Sequence, residues 1–437
     1  MKFELNKEQR EIVYSNAKNI VVIAGAGSGK TRVLTERVKK LLLDGVNPTS
    51  IVIFTFTVMA AEELRQRLSD VPGYDKMFVG TIHSYANFIL RQFTDINYEI
   101  LTDETENAIM QDLCKRNRIP PITTEIYEDF RNQHFDSGKA YVYITQKYGF
   151  NVGEALRHIL EFEPNDKFPV TIKSIARINN YITFDKLIQL ATEYFEESGN
   201  YVDYLFVDEF QDIGRLEYNF IGSIKALNNF VVGDDYQSIY GFKGASYKYF
   251  QKLIDKPNWT SYQLVNNYRC GVNILNYANR YIQNCKDLKF KDSKSVTDYD
   301  GRYYTLDSRF AIQQCIDKIK SNSFGDYKDW FVLCRANKQV EQLMVLFTDN
   351  NIPCATFKKS NLTLDELNEK MNENSVKILT IHASKGLENE NVFVNYSTSD
   401  VLRIYDCGDG TYNIRPEEVR LYYVACTRAK KNLFVFH

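Results

Sequence analysis

The sequence predicts an α/β protein with two parallel-sheet domains, the first of them interrupted by a helical insertion. Short apolar runs such as 20–24 and 204–207 are typical of buried strands, and helical patterns follow them. Several of these runs end in polar side chains, as the strands of doubly wound sheets do where ligands bind. Between residues 98 and 182 the pattern changes to charged and aromatic helices without a strong strand.

The overall composition limits the classes of protein that fit. The 437 residues suffice for several subdomains with their own cores, and a net charge of −2 means that any nucleic-acid binding must use a locally basic groove. Eight scattered cysteines without a C-x-x-C pair indicate reduced thiols, no zinc site and a cytoplasmic location. We expect neither a signal peptide nor a transit peptide from the opening residues 1–4, and no membrane span, because no apolar run approaches the necessary length.

Residues 20–43 read as a strand, a glycine-rich loop, Lys-Thr and a helix. Glycines let successive backbone N–H groups turn toward phosphates, and the helix start adds positive potential. Lys30 is placed to reach the β- and γ-phosphates and Thr31 to hold Mg²⁺, although Ala24 stands where the common pattern has glycine. Because a strand and a helix flank the loop, we interpret it as a nucleoside triphosphate site rather than a turn with an exposed lysine. The candidate loop residues are Ala24, Gly25, Ala26, Gly27, Ser28, Gly29, Lys30 and Thr31.

The apolar strand 204–207 ends in Asp208 and Glu209. NTPases place one carboxylate on the metal ion and a second beside the attacking water at such a strand end. Asp208 suits the metal and Glu209 the general base, although the two would read as surface acids without the preceding phosphate loop. The strand around 230–233 leads to Gln237, where a glutamine can sense the γ-phosphate.

Three further segments leave two interpretations open each. Residues 5–13 predict a helix capped by Asn6, which either lies near the nucleotide or is simply solvated. Tyr240 and Phe242 could stack on unpaired bases, or form a core pair after a turn. Residues 417–431 predict a helix whose basic end either supplies an arginine finger or complements the helix dipole.

Taken in order, these stretches resemble the motif set of the UvrD/PcrA/Rep-type helicases of superfamily 1A, from Gln9 to about Val435. The resemblance implies two RecA-like domains with ATP and Mg²⁺ bound between them, and it makes Ala24 a family trait. The further contacts that it implies are Gln9 on the adenine edge, Arg32 and Tyr268 on the base, Glu388 on the ribose, Gln237 as γ-phosphate sensor, and Arg269 and Arg428 as the arginines that clamp the γ-phosphate.

The resemblance also implies single-stranded DNA along the top of both domains. Two departures affect this surface: residues 57–61 read Thr-Val-Met-Ala-Ala where the family usually has Thr-Asn-Lys-Ala-Ala, and Lys243 replaces an arginine and so loses its planar fork. The matching DNA-side positions are Phe56, Thr81, His83, Tyr240, Phe242 and His382.

The implied domains are the first RecA-like domain (1A) at 1–97 and 183–258, the helical insertion (1B) at 98–182, and the second RecA-like domain (2A) at 259–437. Between Pro353 and Val376 there is room only for a strand and a short helix, so the insertion called 2B is expected to be minimal or absent, giving a compact form of the family.

The leading hypothesis is an ATP-dependent single-stranded DNA translocase or 3′→5′ helicase acting on 3′-tailed or forked DNA. It would serve DNA repair or antiviral defence and need a partner such as a nuclease for robust unwinding. Two alternatives remain: a DNA-stimulated ATPase sensor subunit that acts with such a partner without processive unwinding, and a small-molecule kinase.

Overall fold

The computed structural model describes residues 4–116, 126, 144–149, 151–154, 157, 181–289, 291, 293–358, 362–406 and 412–437. Its first large sheet has six strands, all paired in parallel. These strands are β1 (Asn19–Ala24), β2 (Ile51–Thr55), β3 (Phe78–Thr81), β6 (Tyr201–Val207), β7 (Lys225–Gly233) and β8 (Thr260–Leu264). Their spatial order is β3-β2-β6-β7-β1-β8, so β1 and β6, which precede the phosphate loop and the two acids, flank β7.

Helices cover both faces of this sheet, because the central strands are apolar on both sides. Ile20 and Val22 of β1 face one core, and Val21 between them faces the other. The helices of this domain are Lys7–Val13, Lys30–Leu43, Val58–Leu68, Ile82–Phe93, Phe184–Ser198, Arg215–Ser223 and Tyr247–Ile254.

The predicted insertion leaves the first domain beside a short parallel pair of strands, β4 (Glu99–Ile100) and β5 (Tyr181–Ile182). The helix Asp103–Arg116 follows β4. Most of residues 98–182 lies outside the described part of the chain, so the helical character of the insertion stays a prediction.

A second six-stranded parallel sheet forms the other domain, in the order β11-β18-β15-β12-β14-β13. Its strands are β11 (Arg302–Leu306), β12 (Trp330–Cys334), β13 (Cys354–Ala355), β14 (Val376–Thr380), β15 (Asn389–Asn395) and β18 (Ala429–Phe436). Two small sheets accompany it: β9 (Asn266–Asn267) with β10 (Lys294–Ser295), and β16 (Ile404–Asp406) with β17 (Tyr412–Ile414). Its helices are Val272–Ile282, Ala311–Lys320, Asn337–Asp349, Leu364–Asn372, Thr398–Val401 and Pro416–Cys426. The predicted α/β class with two parallel-sheet domains is confirmed.

Three details differ from the sequence-based expectation. The strand Thr260–Leu264 was expected in the second domain, but it pairs with β1 as the edge strand of the first sheet. The predicted helix 417–431 ends at Cys426, because the chain turns at Arg428 and continues as β18 in the sheet. The strand Arg302–Leu306 was not predicted at all.

The two domains share a core as well as a cleft. Ala26, Tyr236 and Ile239 of the first domain are buried in the same apolar cluster as the helix Pro416–Cys426 of the second. None of the described helices is long and apolar enough to cross a bilayer.

Candidate nucleotide and DNA site

The glycine-rich loop after β1 adopts a conformation that needs its glycines. Gly27 and Gly29 have φ angles of +62° and +86°, in the left-handed region that side chains disfavour. A Cβ atom on Gly27 would lie 2.6 Å from the Cβ of Arg269, and the carbonyl of Gly27 accepts a hydrogen bond of 2.9 Å from the backbone N–H of Tyr268. The loop therefore closes directly against the segment that follows β9.

Gly27→Ala is expected to weaken ATP binding by about tenfold or more, because both strain and a clash must be relieved by moving the loop. Equilibrium binding of a fluorescent ATP analogue measures this. Gly222→Ala is the matched control, since nothing lies within 4 Å of its Cβ position in the helix Arg215–Ser223. ATP affinity of Gly27→Ala equal to that of the control would contradict this account of the loop.

The N-terminal helix brings Gln9 to the phosphate loop. Asn6 caps this helix as predicted, with its Oδ1 accepting from the backbone N–H of Gln9 at 2.8 Å. Gln9 is buried, its Nε2 has no partner among the described residues, and that atom lies 3.1 Å from a Cβ position on Gly29. An unpaired buried amide donor is costly unless a ligand supplies an acceptor.

An aromatic side chain contacts the residue that caps the same helix. The side chain of Tyr268 is 45% exposed, and its hydroxyl accepts from Asn6 Nδ2 at 2.8 Å. Arg32 is half-buried in the first turn of the helix Lys30–Leu43. A planar base would find a ring face and the Gln9 amide here.

The two acids after β6 meet the lysine of the loop. Lys30 Nζ lies 3.6 Å from Glu209 Oε1, and Asp208 Oδ1 accepts from the backbone N–H of Glu209 at 2.9 Å. Glu209 has φ +50° and ψ +43°, a left-handed conformation rare for a non-glycine residue and frequent at functional sites. Gln211 Nε2 donates to Glu209 Oε2 at 2.6 Å and so fixes the direction of the carboxylate.

The environment separates the pKa values of these acids. Burial raises the pKa of Asp208 to about 7, and the nearby Glu209 carboxylate adds to the shift. Burial also acts to raise the pKa of Glu209, but Lys30 and Lys385 outweigh it and lower that pKa to about 2. Glu209 is thus ionised at neutral pH. The raised pKa of Asp208 means that its ionised form would be stabilised by a bound cation.

Two arginines of the second domain reach this site. Arg428, buried after the helix Pro416–Cys426, donates to Gln237 Oε1 at 3.0 Å and to the carbonyl of Leu387 at 3.2 Å. Arg269 Nε donates to Glu388 Oε2 at 2.5 Å, and Lys430 Nζ lies 3.0 Å from the other Glu388 oxygen. Glu388, which was expected to contact the ribose, is therefore paired here with two cationic side chains.

The predicted DNA-side residues fall into two places. Phe56 stacks on Tyr240 with ring centroids 4.9 Å apart, and the His382 ring lies 5.3 Å from Phe242 and 6.0 Å from Tyr240. We call these four residues the aromatic cluster. Lys243 Nζ lies 5.7 Å from the Tyr240 ring centroid, which adds positive charge at the rim.

The other two predicted positions have different partners. The Thr81 hydroxyl caps the helix Ile82–Phe93 by accepting from the backbone N–H of Ser84 at 3.1 Å. His83 meets Phe184 edge-on, with ring centroids 5.3 Å apart. Burial lowers the pKa of His83, and burial together with Arg335 lowers the pKa of His382 to about 4, so both rings are neutral at pH 7.

One lysine that the sequence analysis did not single out joins the two sites. Lys385 is ion-paired with Asp212, donates to the backbone carbonyl of Gln237 at 2.8 Å, and lies 4.9 Å from the Tyr240 ring centroid. Gln211 was missed as well, although its position two residues after Glu209 was a usable signal. Nothing in the local sequence pairs Lys385 with Asp212, since 173 positions separate them.

These residues fit ATP and Mg²⁺. The glycine loop, the helix start and Lys30 suit phosphates, and the Gln9 Nε2 donor, which has no partner in the described part of the chain, suits a base. Thr31 and Asp208 offer the hard oxygen ligands that Mg²⁺ prefers.

The chain matches two protein-family profiles and several known helicases. The family profile of the UvrD/REP helicase N-terminal domain matches residues 5–258, and that of the UvrD-like helicase C-terminal domain matches residues 262–362 and 356–437. A probable DNA helicase of Mycoplasma pneumoniae is 28% identical over 99% of this chain and 83% of its own length.

Two longer relatives match across most of the chain. The ATP-dependent DNA helicase PcrA of Staphylococcus aureus is 28% identical, and DNA helicase II of Escherichia coli is 32% identical, each over 80% of this chain. The chain spans about half the length of these two relatives, 50% and 51%. With both family profiles matched in order over nearly its whole length, the chain belongs to the UvrD/REP family of DNA helicases.

Proposed function

We propose that this chain is an ATP-dependent DNA helicase that translocates along single-stranded DNA in the 3′→5′ direction. The observation that carries the proposal is the hydrogen bond across the domain cleft from Arg428 to Gln237, beside the acids that follow β6. An arginine that one domain places against the nucleotide of another couples hydrolysis to domain movement. The 3′→5′ direction rests on the family resemblance alone.

In the proposed reaction, Glu209 accepts a proton from a water that attacks the γ-phosphorus as the bond to ADP breaks. Lys30, Arg269 and Arg428 stabilise the negative charge that spreads over the phosphoryl oxygens. Thr31 and Asp208 would hold Mg²⁺, which would supply positive charge to offset that of the phosphates. Gln237 of the first domain accepts the hydrogen bond from Arg428 of the second, where it can report the presence of the γ-phosphate.

The aromatic cluster is the proposed contact with unpaired bases. Base stacking on aromatic rings is tolerant of sequence, which suits a motor that must pass every base. Lys385 donates to Asp212 and lies over the Tyr240 ring. A movement of the bases stacked on Tyr240 would therefore move a charged pair that lies close to Glu209.

Phe242→Ala is expected to lower the affinity for oligo-dT by about tenfold, because one stacking platform is worth roughly 1–3 kcal/mol per base. Fluorescence anisotropy at a fixed salt concentration measures the loss. Phe310→Ala removes an equally large ring that is 56% exposed in the second domain and should bind DNA as the unaltered chain does. Equal affinity of both variants would remove Phe242 from the DNA interface.

The wider context is proposed from the family as well. We place the protein in the cytoplasm and in DNA repair, with antiviral defence as the other candidate process. We also propose that a partner, such as a nuclease, is needed for robust strand separation, because the chain between Pro353 and Val376 carries only β13 and the helix Leu364–Asn372 among its described residues.

Direction and unwinding are tested together. Displacement of streptavidin from a biotinylated oligonucleotide should be accelerated by ATP when the biotin is at the 5′ end and not when it is at the 3′ end. The reverse preference would contradict the direction. Efficient unwinding of a 3′-tailed duplex by the chain alone would contradict the need for a partner.

A further inference from the structure

A buried lysine outside all of the predicted motifs holds the loop that carries the γ-phosphate sensor. The Lys291 side chain is 1% exposed, and its ammonium lies 2.6 Å from Asp234 Oδ1 and is also paired with Asp235. Both carboxylate side chains are fully buried. Lys291 Nζ also lies 3.6 Å from the ring centroid of Tyr236, so the ammonium faces a π surface as well.

Every carboxylate oxygen of this cluster has a defined partner. Asp234 Oδ1 also accepts from the backbone N–H of Tyr236 at 3.1 Å, and Asp234 Oδ2 accepts from Gln237 Nε2 at 2.5 Å. Asp235 Oδ2 accepts from Gln251 Nε2 at 3.0 Å and from the backbone N–H of Lys289 at 2.9 Å. Lys291 supplies the positive charge that balances the two acids.

The bond from Gln237 to Asp234 decides which way the Gln237 amide points. Its Nε2 donates to Asp234, which leaves Oε1 to accept from Arg428. An amide turned the other way would direct its NH₂ group at the guanidinium, where donor meets donor. The hydrogen bond to Asp234 Oδ2 thus keeps Gln237 in the orientation that receives Arg428.

The same lysine is tied to the other arginine of the site. Lys291 lies three residues before β10, and β10 pairs with Asn266–Asn267 immediately before Tyr268 and Arg269. Asn267 is buried, accepts from the backbone N–H of Arg269 at 2.9 Å, and donates to the carbonyl of Ala26 in the phosphate loop at 2.6 Å. The Lys291 segment therefore joins the loop of Gln237 to the strand pair that positions Arg269.

We propose that Lys291 is a positioning residue for ATP hydrolysis: through Asp234 and Asp235 it fixes the orientation of Gln237 toward Arg428. This inference rests on the proposed roles of Gln237 and Arg428. Without Lys291 two adjacent buried carboxylates lose their counter-charge, so one of them must take up a proton or move. Either change disturbs the acceptor that orients Gln237.

The test is a kinetic cycle on the full chain with saturating oligo-dT. Lys291→Met is expected to lower kcat for ATP by about 10- to 100-fold, the usual cost of losing a supporting partner, with KM changed much less. Lys289→Met is the matched control, because among the described residues the side chain of Lys289 pairs only with the exposed Asp255, and its backbone bond to Asp235 is retained. It should turn over ATP as the unaltered chain does.

Non-additivity separates positioning from general stability. If Lys291 acts through Gln237, the pair Lys291→Met and Gln237→Ala should be no slower than Gln237→Ala alone. Lys291→Arg, which restores the charge, should recover a large part of the turnover. If Lys291→Met does not fold, Asp235→Asn is used instead, because it weakens the same cluster. The double variant Asp235→Asn and Gln237→Ala should then also be no slower than Gln237→Ala alone.

Any of the following results would overturn the inference. Normal turnover of Lys291→Met, or a loss that simply multiplies that of Gln237→Ala, contradicts positioning while the proposed function stands. A lowered melting temperature with unchanged turnover per folded molecule makes Lys291 a structural residue only. An unaltered chain without ATPase activity, or a Gln237→Ala variant with full activity, contradicts the proposed function and this inference together.

Discussion

Arg428→Ala is expected to keep ATP binding and lose most of the turnover, by roughly 10³-fold, the lower range for an arginine finger. Arg428 is fully buried and reaches Gln237 at 3.0 Å from the second domain. Burial, together with Arg269, lowers the pKa of Arg428 only to about 9, so the side chain keeps its positive charge at neutral pH. Removal of that charge mainly affects the transition state, where negative charge spreads over the phosphoryl oxygens.

Single-turnover hydrolysis and binding of an ATP analogue separate the two effects for this variant. Arg309→Ala serves as the control, since Arg309 contacts the neighbouring Asp307 and the exposed Phe310 ring on the surface of the second domain. Melting temperatures of both variants establish that the fold is kept. Unchanged hydrolysis by Arg428→Ala would rule out its role on the γ-phosphate.

Glu209→Gln is expected to slow hydrolysis by roughly 10²- to 10⁴-fold, the contribution typical of a general base. Glutamine has the same shape and could still meet Lys30 and Gln211, so ATP binding should change little. The variant should therefore accumulate with ATP bound and the domains closed. Rapid quench of radiolabelled ATP measures the chemical step directly.

Glu197→Gln is the control for this change, because Glu197 is exposed near the end of the helix Phe184–Ser198. A Glu209→Gln variant that hydrolyses ATP at the normal rate would show that another group accepts the proton. Asp208→Asn distinguishes the two acids, since a metal ligand should alter the dependence on Mg²⁺ concentration and a base should not.

Local features of the fold were readable from the sequence. The strand, glycine loop and helix of residues 19–43 follow one another without interruption, and each has a pattern of its own. The same holds for β6 and the acids at its end, and for the cap that Asn6 makes. Such elements depend on neighbours within a few positions, which a sequence displays directly.

Features that depend on distant residues were not readable. The helix that ends at Cys426 has no local stop signal, and the chain turns there because Arg428 is buried between domains and β18 joins the sheet. The strand β8 looks like the start of a new domain until its pairing with β1 is known. Tertiary context overrides local preference at both points.

The two lysine–carboxylate pairs beside the candidate site show most clearly which contacts a sequence does not reveal. Lys291 lies 57 positions from Asp234 in a segment without periodicity, and Lys385 lies even farther from Asp212. A sequence can suggest that a lysine is basic and exposed, but only the fold reveals that its ammonium is buried between carboxylates. Buried charged pairs of this kind fix the conformation of the loops that carry the functional residues.

We propose that ATP hydrolysis drives this chain along single-stranded DNA. The most direct test of this proposal is the rate of ATP hydrolysis by the purified chain with oligo-dT of increasing length at low salt. We predict a rate that rises with length and then reaches a plateau, because a moving enzyme spends less of its time at the ends of a longer strand. A rate already maximal on the shortest oligonucleotide that binds, or no stimulation at all, would contradict translocation.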